Sequence, residues 1–188
     1  MAFVRSSKFR HVFGETPKAE LTHTGVDASM SGSCEGDGLA ASPALFAYSL
    51  RNGRDVAVLP LHDWKRHVSP PYIMAHTGAV LDMAFSPFHD TTLATCSADS
   101  LIRVWGLGDE GVTDKLAPEE CLCELHGHER KVVLMSWHPS AEYVLASAGQ
   151  DGEVKVWDVE KGEERLTVGG DDRLNRECNR VLLSFVDE

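Results

Sequence analysis

The chain has 188 residues, enough for one domain with a respectable core or for a piece of a fold that needs more chain to close. With 18 Lys+Arg against 29 Asp+Glu the formal charge is −11, a field that repels nucleic-acid phosphate and anionic lipid, and no basic stripe overrides it. No run of 18 apolar residues is present to span a membrane, and the five cysteines (Cys34, Cys96, Cys121, Cys123, Cys178) are odd in number and follow no secretory start, since Met1-Ala2-Phe3-Val4 is cut short by Arg5; they read as reduced, intracellular thiols.

In chain order, the segment "SSKFRHVFGE" (6–15) comes first, followed by "VDASMSGSCEGDGLAASP" (26–43), which is Gly/Ser-rich and weakly apolar and specifies a strand poorly. From residue 75 the pattern sharpens. Val80, Phe85, Leu93, Ile102 and Val104 mark short strands with an apolar period of two, as do Val132, Trp137, Val144, Val154 and Val156 further on. Ser86-Pro87 and His138-Pro139 break the first strand of each set from the second, and Ala98-Asp99-Ser100 or Gln150-Asp151-Gly152 turns the second into the third. Fourth strands are expected at 121–125 ("CLCEL"), after the longer polar loop "GLGDEGVTDKLAPEE", and at 164–168 ("ERLTV").

The two sets are copies. Residues 75–105 lie over 127–157 without a gap at an offset of 52, pairing His76 with His128, Pro87 with Pro139, Leu93 with Leu145, Thr95 with Ser147, Asp99 with Asp151 and Trp105 with Trp157. Each copy is therefore a four-stranded antiparallel blade, and its Gly-His start and Trp-Asp end, best seen in the second copy, resemble the WD-repeat family of β-propellers. The resemblance implies a hydrogen-bonded tetrad in each blade: His76, Thr95, Asp99 and Trp105 in one, His128, Ser147, Asp151 and Trp157 in the next. A buried imidazole, hydroxyl and indole N–H each need a partner, and a satisfied network fixes register. The rival reading, a Ser-His-Asp catalytic triad, fits poorly, because the set occurs twice at one spacing and has no nucleophile elbow.

The stretch "CLCELHGH" places Cys121, Cys123, His126 and His128 within eight residues, a donor set that could hold zinc. Structural zinc pairs usually carry a two-to-four-residue gap, whereas Cys-x-Cys puts both thiols on one face of a strand, so the cysteines are read as small packed apolar groups. No phosphate loop or His-Glu-x-x-His is present. The expectation is no catalytic residue, no cofactor and no metal.

Within the propellers, "SSKFRHVFGE" is similar nearly letter for letter to the opening of the coronins, the actin-associated WD-repeat proteins. "VAVLPL" (56–61) resembles the third strand of their first blade, "HTGAVLDMAFSPF" the start of the second and "WHPSAEYVLASAG" the core of the third. The match runs from about 6 to 159 and is weakest between 19 and 42. With Phe185 placed where Trp137 stands, "RECNRVLLSF" (176–185) reads as the inner strand of a fourth blade.

The fold class expected is thus all-β, an incomplete β-propeller of about three four-stranded WD-repeat blades plus the first strand of a fourth. Its parts are an N-terminal segment at 1–18 (outer strand of the closing blade in the full-length family), a degenerate first blade at 19–75, a second at 76–125, a third at 126–168, and the start of a truncated fourth at 169–188. Coronins carry seven blades, a C-terminal extension and a coiled coil, so the resemblance implies a truncated form or partial gene product. No heptad run is present to oligomerise through.

The resemblance further implies a non-enzymatic protein of the cytoplasm and cytoskeleton that binds actin filaments and other cytoskeletal proteins, but not nucleic acid. Coronins carry basic residues in the first blade, yet this chain has no Lys or Arg between Lys18 and Arg51. The candidate actin contacts are Lys8, Arg10, Lys65, Arg66, Arg130 and Lys131. The alternative function is a general WD-repeat interaction scaffold without actin binding.

Overall fold

The computed structural model describes residues 18, 20, 22–28, 37–64 and 69–169. The segment "SSKFRHVFGE" (6–15) and the strand expected at 176–185 lie outside the described residues, as does the Gly/Ser-rich part of the first blade at 29–36. What is described is all-β and falls into three sheets that do not close into a ring, a partial β-propeller.

The first sheet contains β1 (Leu39–Ala41), β2 (Leu45–Ser49), β3 (Val56–Pro60) and β4 (Tyr72–Ile73) in sequential antiparallel order. The second contains β5 (Val80–Phe85), β6 (Thr92–Ser97), β7 (Ile102–Gly106) and, after a two-residue strand β8 (Lys115–Leu116), β9 (Cys123–Leu125). The third contains β10 (Val132–Trp137), β11 (Val144–Gly149), β12 (Glu153–Asp158) and β13 (Glu163–Gly169). Strand "VAVLPL" is β3, the third strand of the first sheet, while β1 and the fully buried β2 had no distinct pattern in the sequence.

The loop between β7 and β9 is not wholly a polar excursion. It crosses to the first sheet, where β8 pairs in parallel with β4 (Tyr72 with Lys115, Ile73 with Leu116) and Met74 N–H donates to the Leu116 carbonyl at 2.9 Å. An outer strand left bare would offer a row of unpaired backbone groups, and this loop covers part of it. Val112, from the same loop, is buried in the shared core.

The inner strands β1, β5 and β10 are neighbours, and a single apolar cluster runs through all three sheets, including Leu45, Val58 and Ile73, then Leu93, Val104 and Trp105, then Leu145 and Trp157. Strict alternation would not put Val80 and Met83 into it together. Both are buried there because the register slips between Val80 and Asp82, and the same slip between Val132 and Leu134 lets Val132, Met135 and Trp137 share one face of β10. An extra residue in one strand of an antiparallel pair reverses the parity of those that follow.

Candidate functional site

The loop leading into β10 brings His128 to the turn between β11 and β12, and the loop into β5 brings His76 to the turn between β6 and β7. In the third sheet, Trp157 Nε1 donates to Ser147 Oγ at 2.8 Å, Ser147 Oγ lies 2.8 Å from His128 Nε2, and His128 Nδ1 lies 2.8 Å from Asp151 Oδ2. An indole can only donate and a carboxylate only accept, so the chain has one self-consistent order: indole N–H to hydroxyl, hydroxyl O–H to Nε2, Nδ1–H to carboxylate. That order needs a neutral imidazole, and burial does push His128 down, more than Asp151 pulls it up.

The second sheet repeats the order. Trp105 Nε1 donates to Thr95 Oγ1 at 3.0 Å, Thr95 Oγ1 lies 2.9 Å from His76 Nε2, and His76 Nδ1 lies 3.1 Å from both oxygens of Asp99. Against burial, which would raise them, the imidazole bonds hold the Asp99 and Asp151 carboxyls below their usual range. Each carboxylate also takes backbone N–H groups, from Thr77 and Leu101 in one blade and Glu129 and Glu153 in the other, so it ties the histidine loop to the turn.

Chemically this is the donor order of a hydrolytic triad, but it is closed. Thr95 and Ser147 are fully buried, and each hydroxyl oxygen is shared between an indole and an imidazole. No face is left from which a substrate carbonyl could be attacked. A methyl group at Gly149 would clash with Asp151 Oδ1 and stand 2.5 Å from His128 Nδ1, so the absent side chain there leaves room for the pair. Ser97 occupies the matching place in the other blade, where the His-to-Asp distance is the longer one.

Residues 68–106 and 119–158 match the family described as WD domain, G-beta repeat, and residues 2–66 match a domain of unknown function, DUF1899. Coronin-like protein crn1 of Schizosaccharomyces pombe is 36% identical over 172 residues, covering 88% of this chain and 28% of that protein. Coronin-2A of Homo sapiens is 36% identical over 166 residues, covering 87% of this chain and 31% of that protein. This chain belongs to the coronin family. The crystal structure of the WD40 domain from Toxoplasma gondii coronin aligns with a TM-score of 0.71 at 32% identity, covering 79% of this chain and 38% of that one. The chain thus spans less than a third of the length of the two curated coronins it matches.

Two further features of this coronin chain did not stand out in its sequence. One is a buried cation behind each tetrad hydroxyl: Arg103 is the cross-strand partner of Thr95 and Lys155 that of Ser147. Arg103 Nε bonds Glu124 at 2.5 Å and Arg103 Nη1 the Ala75 carbonyl at 2.6 Å, while Lys155 Nζ lies 2.9 Å from Glu153 and 3.1 Å from Glu164. The Glu124 and Glu164 contacts join the third strand of each sheet to its outer strand, while the Ala75 contact ties β7 to the loop before β5. Arg and Lys at one repeat position, each facing an outer-strand Glu, were the available signal.

The other is Asp82, buried in the inner strand β5. Its Oδ1 accepts the N–H groups of Asp37 and Met83, both at 3.0 Å, and its Oδ2 accepts that of Met135 at 2.9 Å. One carboxylate therefore bonds backbone beside or within β1, β5 and β10. Nearby, Trp137 Nε1 donates to the Ala84 carbonyl at 3.1 Å, a second polar tie between β10 and β5. A charged residue within "VLDMAF", where the other repeat has Leu134, was the hint in the sequence.

The Cys121, Cys123, His126 and His128 set does not converge. His126 Nε2 lies 2.7 Å from Glu124, His128 is committed to Ser147 and Asp151, and burial pushes both thiols up, away from the thiolate form that binds metal. Among the described residues, no group of three metal-binding side chains gathers. Of the candidate actin contacts, Arg130 is exposed and Lys131 half-buried in the loop before β10, whereas Lys8, Arg10, Lys65 and Arg66 lie outside the described residues. No helix among the described residues is long and apolar enough to cross a membrane.

Proposed function

We propose that the chain is a non-enzymatic actin-filament-binding module of the coronin type, acting in the cytoplasm at the cytoskeleton together with other cytoskeletal proteins. The observation that carries the reading is the extent of the coronin match. Identity of 36% runs across 88% of the chain, including the DUF1899 segment that precedes the generic WD repeats. The buried tetrads support it from the chemical side, because they consume the reactive side chains in holding the sheets and leave the loops for surface contact.

A second reading, a general WD-repeat interaction scaffold without actin contact, is favoured by one feature: the absence of Lys and Arg between Lys18 and Arg51. Co-sedimentation with actin filaments separates the two. An acidic chain must meet an acidic filament through a local basic patch, and such contacts weaken as salt screens them. The expected result is weak pelleting at low salt that fades at physiological salt, reduced further when Arg130 and Lys131 are both changed to Glu. A chain that stays in the supernatant at low salt, whether or not these residues are changed, replaces the actin reading with the scaffold reading.

A further inference from the structure

The three sheets have two chemically different ends. At one, the histidine end, the turn 50–55 lies against the loop into β5, since Val80 N–H donates to the Gly53 carbonyl at 2.7 Å and His76 N–H to that of Arg54 at 3.3 Å. The turn after β6 lies against the same loop (Ala98 N–H to the Ala79 carbonyl, 2.8 Å), and the turn after β11 lies against the loop into β10 (Gln150 N–H to the Lys131 carbonyl, 2.8 Å). Cys96 Sγ, at the end of β6, reaches the Val132 carbonyl at 3.5 Å and links the two sheets at this level. The second-to-third-strand turns and the histidine loops therefore belong to one surface.

That surface carries Arg51, Arg54, Arg130 and Lys131. None of the four forms an ion pair among the described residues, whereas Arg103, Lys155, Lys161 and Arg165 each pair with a carboxylate. Of the carboxylates at this end, Asp99 and Asp151 are committed to the histidines and Asp55 takes a hydrogen bond from Asn52, while Asp27, Asp37 and Glu129 are exposed among the basic residues. At the opposite end the loops expose Asp90, Asp109, Glu110, Glu160 and Glu142, the last beside His89, and the start of β13 exposes Glu163. The opposite end is thus the more acidic, its Lys161 and Arg165 being taken up by Asp158, whereas at the histidine end four unpaired basic groups offset the exposed carboxylates.

We infer that the histidine end is the face presented to the acidic filament, with Arg51 and Arg54 from the first sheet acting together with Arg130 and Lys131 from the third. This inference rests on the actin reading above and names the surface it uses. The opposite orientation would set like charges against each other, which selects against it during encounter. Arg51 and Arg54 are not among the contacts expected from the sequence, where nothing local sets them apart. The fold brings their turn alongside the second sheet.

The test compares filament co-sedimentation of the full chain with Arg51→Glu/Arg54→Glu, with Arg51→Gln/Arg54→Gln, and with Lys161→Glu as an opposite-end control. The turn itself should persist, because Asn52 Oδ1 accepts the Arg54 and Asp55 N–H groups and neither arginine side chain takes part. The expected result is about tenfold weaker binding at low salt for the Glu pair, a smaller loss with a shallower salt dependence for the Gln pair, and parental binding for Lys161→Glu. Parental pelleting of both arginine variants overturns the inference and leaves the actin reading standing. Failure of the unchanged chain to pellet at low salt overturns both.

Discussion

Asp82→Ala is expected to destabilise the folded chain by about 3 to 5 kcal/mol, since it strands two buried N–H groups, each worth roughly 1 to 3 kcal/mol when orphaned, and a half-buried third, with incomplete additivity. Those donors, on Asp37, Met83 and Met135, come from three neighbouring inner-strand regions, so the loss falls on the contact between sheets rather than within one. Asp82→Asn keeps one acceptor oxygen and should lose about half as much. Urea denaturation monitored by tryptophan fluorescence measures both.

The pH dependence gives a second handle. Burial pushes the Asp82 carboxyl up to about 6, against the N–H bonds that favour its charge and with the Asp37 carboxylate as a nearby repulsive neighbour. The folded chain therefore takes up this proton more readily than the unfolded chain between about pH 4 and 6. Its contribution favours the fold in acid and is lost as pH rises through 6. Asparagine cannot titrate, so the stability gap between parent and Asp82→Asn should widen in the parent's favour from pH 7 to pH 5. A gap that stays constant over that range would show that Asp82 does not titrate there.

Trp157→Phe should destabilise by about 2 to 3 kcal/mol, partly from the smaller ring and partly because the Ser147 hydroxyl loses its indole donor in a fully buried site. Trp105→Phe should act alike through Thr95. The distinguishing measurement is a double-mutant cycle with Ser147→Ala, which itself strands the indole N–H and His128 Nε2. Because Trp157 and His128 share one oxygen, Trp157→Phe combined with Ser147→Ala should lose clearly less than the sum of the single losses. Thermal melts of the two Phe variants that overlay the parent would mean that the indole donors contribute nothing to stability.

The tetrads were readable because His, Ser or Thr, Asp and Trp recur at one offset, and recurrence separates a shared framework from a single catalytic set. The strands of the second and third sheets were readable for a similar reason, their β-branched and aromatic residues alternating between Pro and Gly/Asp breaks. Asp82 was not, because a lone carboxylate in an apolar strand gives no sign of which distant N–H groups will surround it. The slips at Val80 and Val132 were hidden in the same way: periodicity cannot locate an extra residue that only the paired strand reveals. Lys115 and Leu116 carry no strand pattern and pair only because the edge of β4 lies within reach. The ends of the sheets were equally invisible, since nothing local to Arg51 or Arg130 states that their loops share a surface.

The central claim, that the histidine end of a coronin-type sheet stack meets the acidic filament, is tested most directly by zero-length carbodiimide cross-linking of the full chain to actin filaments at low salt, with the linked lysines mapped by mass spectrometry. Lys131 lies at the histidine end, and Lys161 lies in the turn between β12 and β13 at the opposite end. The predicted result is a cross-link from Lys131 to a filament carboxylate, lost at high salt, with Lys161 unlinked. Cross-links through Lys161 with Lys131 left free would contradict the account.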